Sequence, residues 1–341
     1  MAVDDDIRQS IQTAKRVCFF AHYHENAIIA DHVIFYLTAI KNAGFSIVLV
    51  STSLLPPSEI EKLSGICVEV VLRKNEGLDF GSWITAVERY FPIKAELLLL
   101  ANDSVYASVG DLAAYIERLC STQADFYGAV ESGELDTHLQ SWFILLRPKA
   151  YNSAAFVELM KFPMMATATK FDLIKSYEIG LTQRLMKDNL TYHASFSSRN
   201  LTGFASRHAF NYSHILWKEL IQHGIPFIKI ELVRQNPVRV TNIHQLREVV
   251  CETEPSLFPL IESDLAKRGR FRMKRWMEMT DQPMLYWPEV RFLLQRRAPR
   301  SQRSVPLNWH FEQLLFRLIT ACTHPVRRLN RKLRKILRQP A

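Results

Sequence analysis

Four consecutive leucines, residues 97–100, run directly into a polar corner formed by Asn102, Asp103 and Ser104. A short apolar run that ends in polar residues is typical of a buried strand, which here delivers a carboxylate to the carboxyl edge of a sheet. Ligands bind at that edge in open α/β sheets, because the loops diverge there and leave a crevice. Asp103 is therefore the first candidate functional residue. The alternative is a simple turn that caps the helix starting near Asp111.

A second polar stretch, RKNEGLDFGSW from Arg73, follows another apolar run at residues 68–72. Asp79 lies in this stretch, so two strand ends that each carry an aspartate are expected to meet at one crevice. Gly77 and Gly81 allow close approach of the backbone to a ligand, and Arg73 offers a cation suited to phosphate. The spacing is not that of a P-loop or a dinucleotide fingerprint. A glycine-bearing turn with solvated charges remains the alternative.

Apolar runs and helical patterns alternate from residue 15 to residue 101, which predicts a parallel sheet with right-handed crossovers. Farther along, the sequence predicts a single strand over residues 138–146 and a helix over residues 170–189. It also predicts an extended segment over residues 226–237. Ser58, with Glu61 three residues later, predicts a capping box at a short helix.

Other candidates come from polar side chains beside these apolar elements. His22 and His24 are interpreted either as metal ligands or as loop groups that contact a base, a ribose or water. Gln140, Ser141 and Trp142 interrupt a strand with groups that suit a sugar, or else belong to an ordinary edge strand. Glu178, between Tyr177 and Ile179, is expected to be partly buried and is a candidate general base.

With 341 residues and 48% hydrophobic side chains, the chain is long enough to bury a sizeable core. Its five cysteines lie far apart and fit neither a zinc site nor a dense disulfide framework, which indicates reduced thiols. The acidic start, MAVDDDIRQS, does not resemble a secretory signal, and no run reaches the roughly 18 apolar residues of a membrane span. We therefore expect a cytoplasmic protein.

The net charge of +9 is concentrated at one end of the chain. From Lys267 onward there are 19 Lys/Arg and 4 Asp/Glu, about +15, which leaves about −6 for the rest. Basic residues interleaved with Trp, Phe, Met and Leu favour amphipathic helices that lie in an anionic membrane interface. Nucleic-acid binding is the weaker alternative, and a solvated helical bundle is a third. We predict a domain over residues 1–266 and a membrane-associating tail over residues 267–341.

The order of motifs resembles the rhamnan synthesis protein F family of bacterial polysaccharide glycosyltransferases. The motifs cover roughly residues 15 to 250 and are more specific together than singly. They are FAHYHEN (20–26), VLVSTS (48–53), RKNEGLDFGSW (73–83), LLLANDSVY (98–106), DFYGAVES (125–132), HLQSWFILLRP (138–148), YEIGLTQ (177–183) and PFIKIELVRQNP (226–237).

The resemblance implies a single GT-A-like nucleotide-binding α/β domain, with a mainly parallel sheet flanked by helices, plus the basic α-helical tail. It implies transfer of rhamnose from dTDP-rhamnose to a lipid-linked cell-surface polysaccharide or O-antigen. The partners are then the nucleotide-sugar donor, the lipid-linked glycan acceptor, the inner-membrane surface and other glycosyltransferases, but no nucleic acid. The alternative is a non-catalytic nucleotide-sugar-binding or scaffold subunit.

The resemblance also assigns roles to the candidate residues. The corner at Asn102 and Asp103 is similar to the DxD corner that holds Mg²⁺ or Mn²⁺ against the donor diphosphate. It offers one carboxylate where the family pattern has two, so Asp103 is the expected metal ligand. The alternatives are weak metal binding, a second ligand from Asp79, or Arg73 in place of the metal. Glu178 is the expected base, with Asp79 and Glu131 as second choices. The expected donor-binding residues are His22, Tyr23, Arg73, Asn75, Gly77, Asp79, Asn102 and Asp103. The expected sugar-binding residues are Gln140, Ser141 and Trp142.

Overall fold

The computed structural model describes residues 4–133, 136–161, 170–197, 211–237, 240 and 242–267. Only Lys267 of the predicted basic tail belongs to these ranges, so the prediction of membrane-associating helices lies outside the described residues. Within the described ranges no helix is both long and apolar enough to span a bilayer. Cys18, Cys67, Cys120 and Cys251 are free thiols, as expected.

The described residues form strands separated by helices through most of their length. The strands are β1 (Arg16–His22), β2 (Ser46–Ser51), β3 (Glu69–Leu72), β4 (Leu97–Asn102), β5 (Val105–Tyr106), β6 (Phe126–Ser132), β7 (His138–Leu139), β8 (Phe143–Leu146), β9 (Tyr192–Phe196) and β10 (Ile228–Lys229).

Among the described residues, one helix precedes the first strand, and others lie between the strands and after the last of them. They are α1 (Asp5–Thr13), α2 (Asp31–Asn42), α3 (Pro57–Glu61), α4 (Leu78–Tyr90), α5 (Leu112–Cys120), α6 (Pro148–Tyr151), α7 (Ala154–Lys161), α8 (Lys170–Leu173), α9 (Gly180–Lys187), α10 (Tyr212–Ile215), α11 (Trp217–Gln222), α12 (Ile230–Gln235), α13 (Leu246–Thr253) and α14 (Leu257–Lys267). A π-helical segment, Ile174–Ile179, joins α8 to α9, and a 3₁₀ turn, Asn242–Gln245, precedes α13.

The main sheet has the order β3-β2-β1-β4-β8-β6-β7, and β9 also pairs with β6. The four strands β3, β2, β1 and β4 are parallel, and β9 is parallel to β6. Strand β8 is antiparallel to both of its neighbours, and β7 is antiparallel to β6. The prediction of a mixed α/β domain with a mainly parallel sheet flanked by helices is confirmed.

Both faces of the sheet are buried, which explains why its strands are apolar without alternation. Along β1, Cys18 and Phe20 face one core, which contains α2 and α5. Val17 and Phe19 face the other, which contains α4 and α7. The leucines of β4 divide between the two cores in the same way.

A third apolar cluster fixes the end of the described chain against the domain. It brings together β5, β10 and the helices α11 to α14. The buried Tyr106 hydroxyl donates to Asp264 Oδ2 at 2.7 Å, which ties α14 to β5. At the end of α14, Lys267 Nζ lies 3.1 Å from Asp31 Oδ2 on α2. This packing sets the position of β10 beside the end of β4.

Two sequence predictions of secondary structure are wrong in ways that matter for the site. Residues 138–146 are not one strand, because the connection between β7 and β8 interrupts it. Residues 226–237 are not extended throughout, because only Ile228–Lys229 is a strand and Ile230–Gln235 is helical. Each interruption occurs where polar side chains line the cavity described below.

Two helix starts also differ from the sequence predictions. The predicted capping box at Ser58 is absent, because α3 begins at Pro57 and has Pro56 at its N-cap. Helix α4 begins at Leu78, within the polar stretch that starts at Arg73. The first turn of α4 therefore includes Asp79. The helix after the central corner is capped by Asp111 itself, which accepts from the Ala114 N–H, and not by residues 102–104.

Candidate active site

A cavity of about 670 Å³ opens at the carboxyl edge of the parallel strands. Loops after β1, β3 and β4 reach it from one side, and the β7–β8 connection and the π-helical segment reach it from the other. A third segment, at β10 and α12, completes the lining. The polar and charged lining residues are Tyr23, Glu25, Asp79, Asn102, Asp103, Ser104, His138, Gln140, Ser141, Glu178, Asn211, Lys229, Glu231, Arg234 and Gln235.

The side contributed by β1, α4 and β4, here called the parallel-strand wall, consists of Tyr23, residues 77–80 and residues 102–104. Hydrogen bonds join its members to one another. Asn102 donates its amide N–H to Asp79 Oδ2 at 2.7 Å. Its Oδ1 accepts from both the backbone N–H and the hydroxyl of Ser104, at 3.1 and 2.6 Å. Asn102 is thus fully engaged in fixing the corner.

Asp103 is held at the edge of this wall by the backbone of the neighbouring strand end. The Tyr23 N–H donates to Asp103 Oδ2 at 2.8 Å. Nε2 of the buried His22 lies 3.9 Å from the same oxygen, and His22 Nδ1 lies 2.9 Å from Ser51 Oγ. The Asp103 side chain remains 17% exposed. The register of β1 and β4 therefore presents a carboxylate to the cavity in one fixed orientation.

The loop that leads into α4 has an unusual backbone. Gly77 and Leu78 both have positive φ values, 73° and 53°, and the latter is uncommon for a leucine. Arg73 stabilises this loop: one guanidinium nitrogen donates to the Glu76 carbonyl at 2.5 Å, and the other lies 3.5 Å from Ser82 Oγ. Burial lowers the pKa of the Arg73 guanidinium below its usual value. Strain of this kind is typical of functional loops.

The opposite side, here called the π-helix wall, consists of Gln140 and Ser141 with residues 173–174 and 178–179. Glu178 lies in the π-helical segment and accepts the Ser141 N–H at 3.1 Å. The ring of buried Tyr177 packs 5.4 Å from that of Phe80 on α4, which links the two walls behind the cavity. Short π-helical segments occur frequently at functional sites.

Gln140 is oriented by partners on both sides. Its Oε1 accepts the indole N–H of the buried Trp142 at 2.9 Å, and its amide lies 3.1 Å from Asn211 Oδ1. Trp142 itself packs against Phe227 in the core. It supports Gln140 and is not among the residues that line the cavity.

The cavity gathers most of the residues that the sequence singled out. The ones that line it are Tyr23, Gly77, Asp79, Asn102, Asp103, Gln140, Ser141 and Glu178. His22, Arg73, Asn75 and Trp142 do not line it; His22, Arg73 and Trp142 support lining residues, whereas Asn75 is exposed. His24 is buried in the turn after β1, where its N–H donates to Ser53 Oγ. Glu131 is buried and accepts from Tyr192 and Ser197.

Sequence reasoning missed several lining residues, above all Lys229 and Arg234. Both lie in the PFIKIELVRQNP motif, which marked the segment without indicating the role of any one residue. They reach the cavity because β10 pairs with β5, about 120 residues earlier in the chain. Glu25, His138 and Asn211 were also missed as lining residues.

The donor set suits a divalent cation only if a ligand shares in the coordination. Within the described ranges no group of three or more His, Cys, Asp and Glu side chains is arranged to hold a metal by itself. Asp79 and Asp103 nevertheless line one cavity, and Mg²⁺ is commonly held by one or two carboxylates plus substrate phosphates. Asp103, with Asp79 on the same wall of the cavity, is the pair that fits such a cation.

Comparison with solved structures finds many remote similarities, among them to GlyE and to TarS. The glycosyltransferase GlyE of Streptococcus pneumoniae TIGR4 is 15% identical, with 77% of this chain and 66% of that chain covered and a TM-score of 0.37. TarS residues 1–349 of S. aureus, in complex with UDP, is 12% identical, with 76% and 93% covered and a TM-score of 0.30. At these scores the similarity carries no argument, and the fold assignment rests on the strand order and pairing described above.

Among curated proteins, virulence protein VirA of Vibrio anguillarum is 22% identical over 250 residues, covering 62% of this chain and 77% of that protein. The uncharacterized protein y4gN of Sinorhizobium fredii is 27% identical over 163 residues, covering 46% and 42%. The model of the family described as rhamnan synthesis protein F matches residues 47–274, about two thirds of the chain. The chain therefore belongs to the rhamnan synthesis protein F family, a glycosyltransferase-like family of polysaccharide synthesis.

Proposed function

We propose that this protein is a glycosyltransferase that moves rhamnose from dTDP-rhamnose to a lipid-linked bacterial cell-surface polysaccharide such as an O-antigen. The observation that carries the proposal is the presence of Asp79, Asp103 and Glu178 around one cavity at the carboxyl edge of a parallel sheet. That edge is the usual ligand site of open α/β folds. Membership of a polysaccharide-synthesis family supports a sugar donor.

The donor occupies the parallel-strand wall in this proposal. Tyr23, a residue that is 51% exposed at the rim, stacks on the nucleobase. The diphosphate lies at Asp103, which would hold Mg²⁺ or Mn²⁺ together with the phosphate oxygens. When bound, that cation neutralises charge on the leaving diphosphate. This arrangement is GT-A-like, with residues 102–104 in the place of the DxD corner.

The acceptor approaches the π-helix wall. In an inverting route its hydroxyl oxygen forms a bond to the anomeric carbon while the bond from that carbon to the phosphate oxygen breaks. The hydroxyl proton passes to Glu178, and the electron pair of the broken bond remains on the diphosphate. Gln140 and Ser141 bind sugar hydroxyls, and the Ser141 N–H keeps the Glu178 carboxylate oriented.

The transfer takes place, in this proposal, at the cytoplasmic surface of the inner membrane. Residues 1–266 form the catalytic domain, and the tail over residues 267–341, with its net charge of about +15, binds anionic lipid headgroups. Other glycosyltransferases of the same assembly supply or extend the lipid-linked glycan.

Calorimetric titration with dTDP-rhamnose, dTDP, UDP and GDP, each with and without Mg²⁺ or Mn²⁺, tests the donor assignment. We expect binding of dTDP and dTDP-rhamnose that Asp103→Asn weakens. Binding of a different nucleotide would change the assigned donor base but leave the assignment as a transferase in place. A wild-type protein that binds none of these nucleotides would contradict the proposal and favour a scaffold role.

A further inference from the structure

Lys229 occupies a position opposite the Asn102–Ser104 corner, although the two are far apart in the sequence. Strand β10 is antiparallel to β5, with Lys229 opposite Val105 and Ile228 opposite Tyr106. The next residue, Ile230, donates its N–H to the Ser104 carbonyl at 3.0 Å. The backbone of Lys229 is therefore fixed against the corner itself.

The side chain of Lys229 lies between the two walls. Its Nζ is 3.5 Å from Ser104 Oγ and 5.6 Å from the centroid of the Trp142 ring. Ser104 is hydrogen-bonded to Asn102, and Trp142 to Gln140. The ammonium group therefore lies beside a residue of the parallel-strand wall and a residue that supports the π-helix wall. Lys229 is half-buried and lines the cavity. A cation over the face of an indole ring is attracted by the negative face of that ring, which helps to hold the ammonium group in place.

The residues that line the cavity carry more negative than positive charge, so the position of each cation determines where an anion can bind. Among the described residues that line the cavity, the carboxylates are Glu25, Asp79, Asp103, Glu178 and Glu231, and the cations are Lys229 and Arg234. A cavity of this composition repels an anion except where a cation is concentrated. Lys229 provides such a place beside Ser104, with Arg234 on the following helix.

The neighbour behind Lys229 does not add a second charge. Burial and the positive charge of Lys229 lower the pKa of His214 to about 3. His214 is therefore neutral at physiological pH. The positive charge beside Ser104 therefore belongs to Lys229 and not to His214.

We propose that Lys229 binds the diphosphate of the nucleotide-sugar donor and stabilises the negative charge that develops on it as the glycosidic bond to phosphate breaks. This inference rests on the proposed function and assigns its diphosphate subsite. Lys229 gives up no proton in the step; it acts as a fixed cation whose attraction strengthens when the leaving oxygen gains the electron pair. The ligand class is a nucleoside diphosphate.

The test compares Lys229→Gln and Lys229→Arg by calorimetric titration with dTDP, UDP, thymidine, uridine and inorganic pyrophosphate. We expect Lys229→Gln to weaken nucleoside diphosphate and pyrophosphate binding about 10- to 100-fold, as loss of a charge-assisted contact does, and to leave nucleoside binding unchanged. Lys229→Arg, which keeps the charge, is expected to lose less than about 10-fold. The control is Lys218→Gln, because Lys218 lies on α11 and donates to Gln245.

The outcomes separate this inference from the proposed function. If the wild type binds a nucleoside diphosphate and Lys229→Gln binds it equally well, the assignment of Lys229 is overturned while the transferase remains. Equal weakening of nucleoside and diphosphate binding would also overturn it, because it would indicate general damage to the cavity. If the wild type binds neither nucleoside diphosphates nor pyrophosphate, both proposals fail.

Discussion

The two walls of the cavity differ in how firmly their functional groups are held. In the parallel-strand wall, Asn102 donates to Asp79 and accepts from Ser104, and Asp103 accepts the Tyr23 N–H. The register of β1 and β4 aligns these residues. In the π-helix wall, Glu178 accepts a backbone N–H from Ser141 and lies in a helical segment of irregular winding. A fixed array suits the binding of a charged ligand, because its dipoles need no reorganisation. A carboxylate on an irregular segment is held less firmly, which suits a side chain that accepts and releases a proton.

The largest effect is expected from removing the charge of the parallel-strand wall. Asp103→Asn keeps the shape and still accepts the Tyr23 N–H, but it removes the carboxylate beside the diphosphate. We expect sugar transfer to fall about 1000-fold, or about 4 kcal/mol, with donor binding weakened as well. The measurement is release of dTDP from dTDP-rhamnose in the presence of a membrane extract that carries acceptor glycan.

The matched control is Asp111→Asn, at the N-cap of α5. Asparagine caps a helix about as well as aspartate, so transfer and stability should match the wild type. Equal loss in both variants, or full activity in Asp103→Asn, would contradict a charge-dependent role for the parallel-strand wall.

The next effect concerns the loop that supports this wall. A Cβ at residue 81 would meet the Glu76 carbonyl and lie 2.6 Å from an Arg73 guanidinium nitrogen. Since the obstacle includes backbone, we expect Gly81→Ala to destabilise the protein by about 3 kcal/mol. Thermal and urea unfolding measure the change, and donor binding should weaken with it.

Gly133→Ala is the control for that variant, because a Cβ there has nothing within 4 Å. Its stability should be within about 0.5 kcal/mol of the wild type. A Gly81→Ala protein as stable as this control would show that the Arg73 loop adapts readily and does not preorganise the wall.

An effect of pH on stability is expected from His214, the buried neighbour of Lys229. The folded pKa of His214 is lowered to about 3, whereas the usual value is 6.5. The unfolded state therefore binds the proton more readily, and stability present above pH 6.5 is lost as the pH falls toward 3. Burial is the larger cause and the Lys229 charge the smaller; the nearby Glu231 carboxylate, 3.9 Å away and 55% exposed, opposes both.

As the pH falls from 7 to 4.5, His214 should lower the free energy of unfolding of the wild type by about 2.5 kcal/mol. His214→Gln should reduce the slope of stability against pH by that amount, whereas His223→Gln, at an exposed position, should retain it. Urea unfolding across this pH range is the measurement. Parallel slopes in all three proteins would exclude a buried neutral histidine.

The smallest effect is expected at the rim. Tyr23→Ala removes the exposed ring but retains the backbone N–H to Asp103, so only stacking on the base is lost. We expect dTDP binding to weaken by about 1–2 kcal/mol, with Tyr23→Phe close to the wild type. A larger loss of dTDP affinity in Tyr23→Ala, with pyrophosphate affinity unchanged, would indicate that the base contributes more to binding than proposed. Unchanged dTDP affinity would contradict the placement of Tyr23 in the donor site.

The parallel-strand wall could be predicted from the sequence because its evidence is local. Each apolar run ends in the polar residues that form the wall, and strand–helix alternation is sufficient to align the strand ends. Asp79, Asn102 and Asp103 were all found in this way. Arg73 was found too, although its side chain supports the loop and does not line the cavity.

The rest of the site depends on pairings that no local pattern contains. The sequence predicts that residues 140–142 belong to a strand, whereas Gln140 and Ser141 lie in the β7–β8 connection and line the cavity. Lys229 was missed because its position depends on the pairing of β10 with β5. Glu178 was found by its polar character within an apolar helix, but the π-helical winding around it was not foreseen.

Glu178→Gln tests the central claim most directly, that one wall binds the donor and the other performs the proton transfer. Donor affinity by calorimetry and transfer rate by dTDP release should be measured on the same protein, with the exposed Glu158→Gln as the control. We predict unchanged dTDP-rhamnose affinity and transfer slowed about 100- to 1000-fold. Undiminished transfer, or donor affinity lost in step with the rate, would contradict the division of labour between the walls.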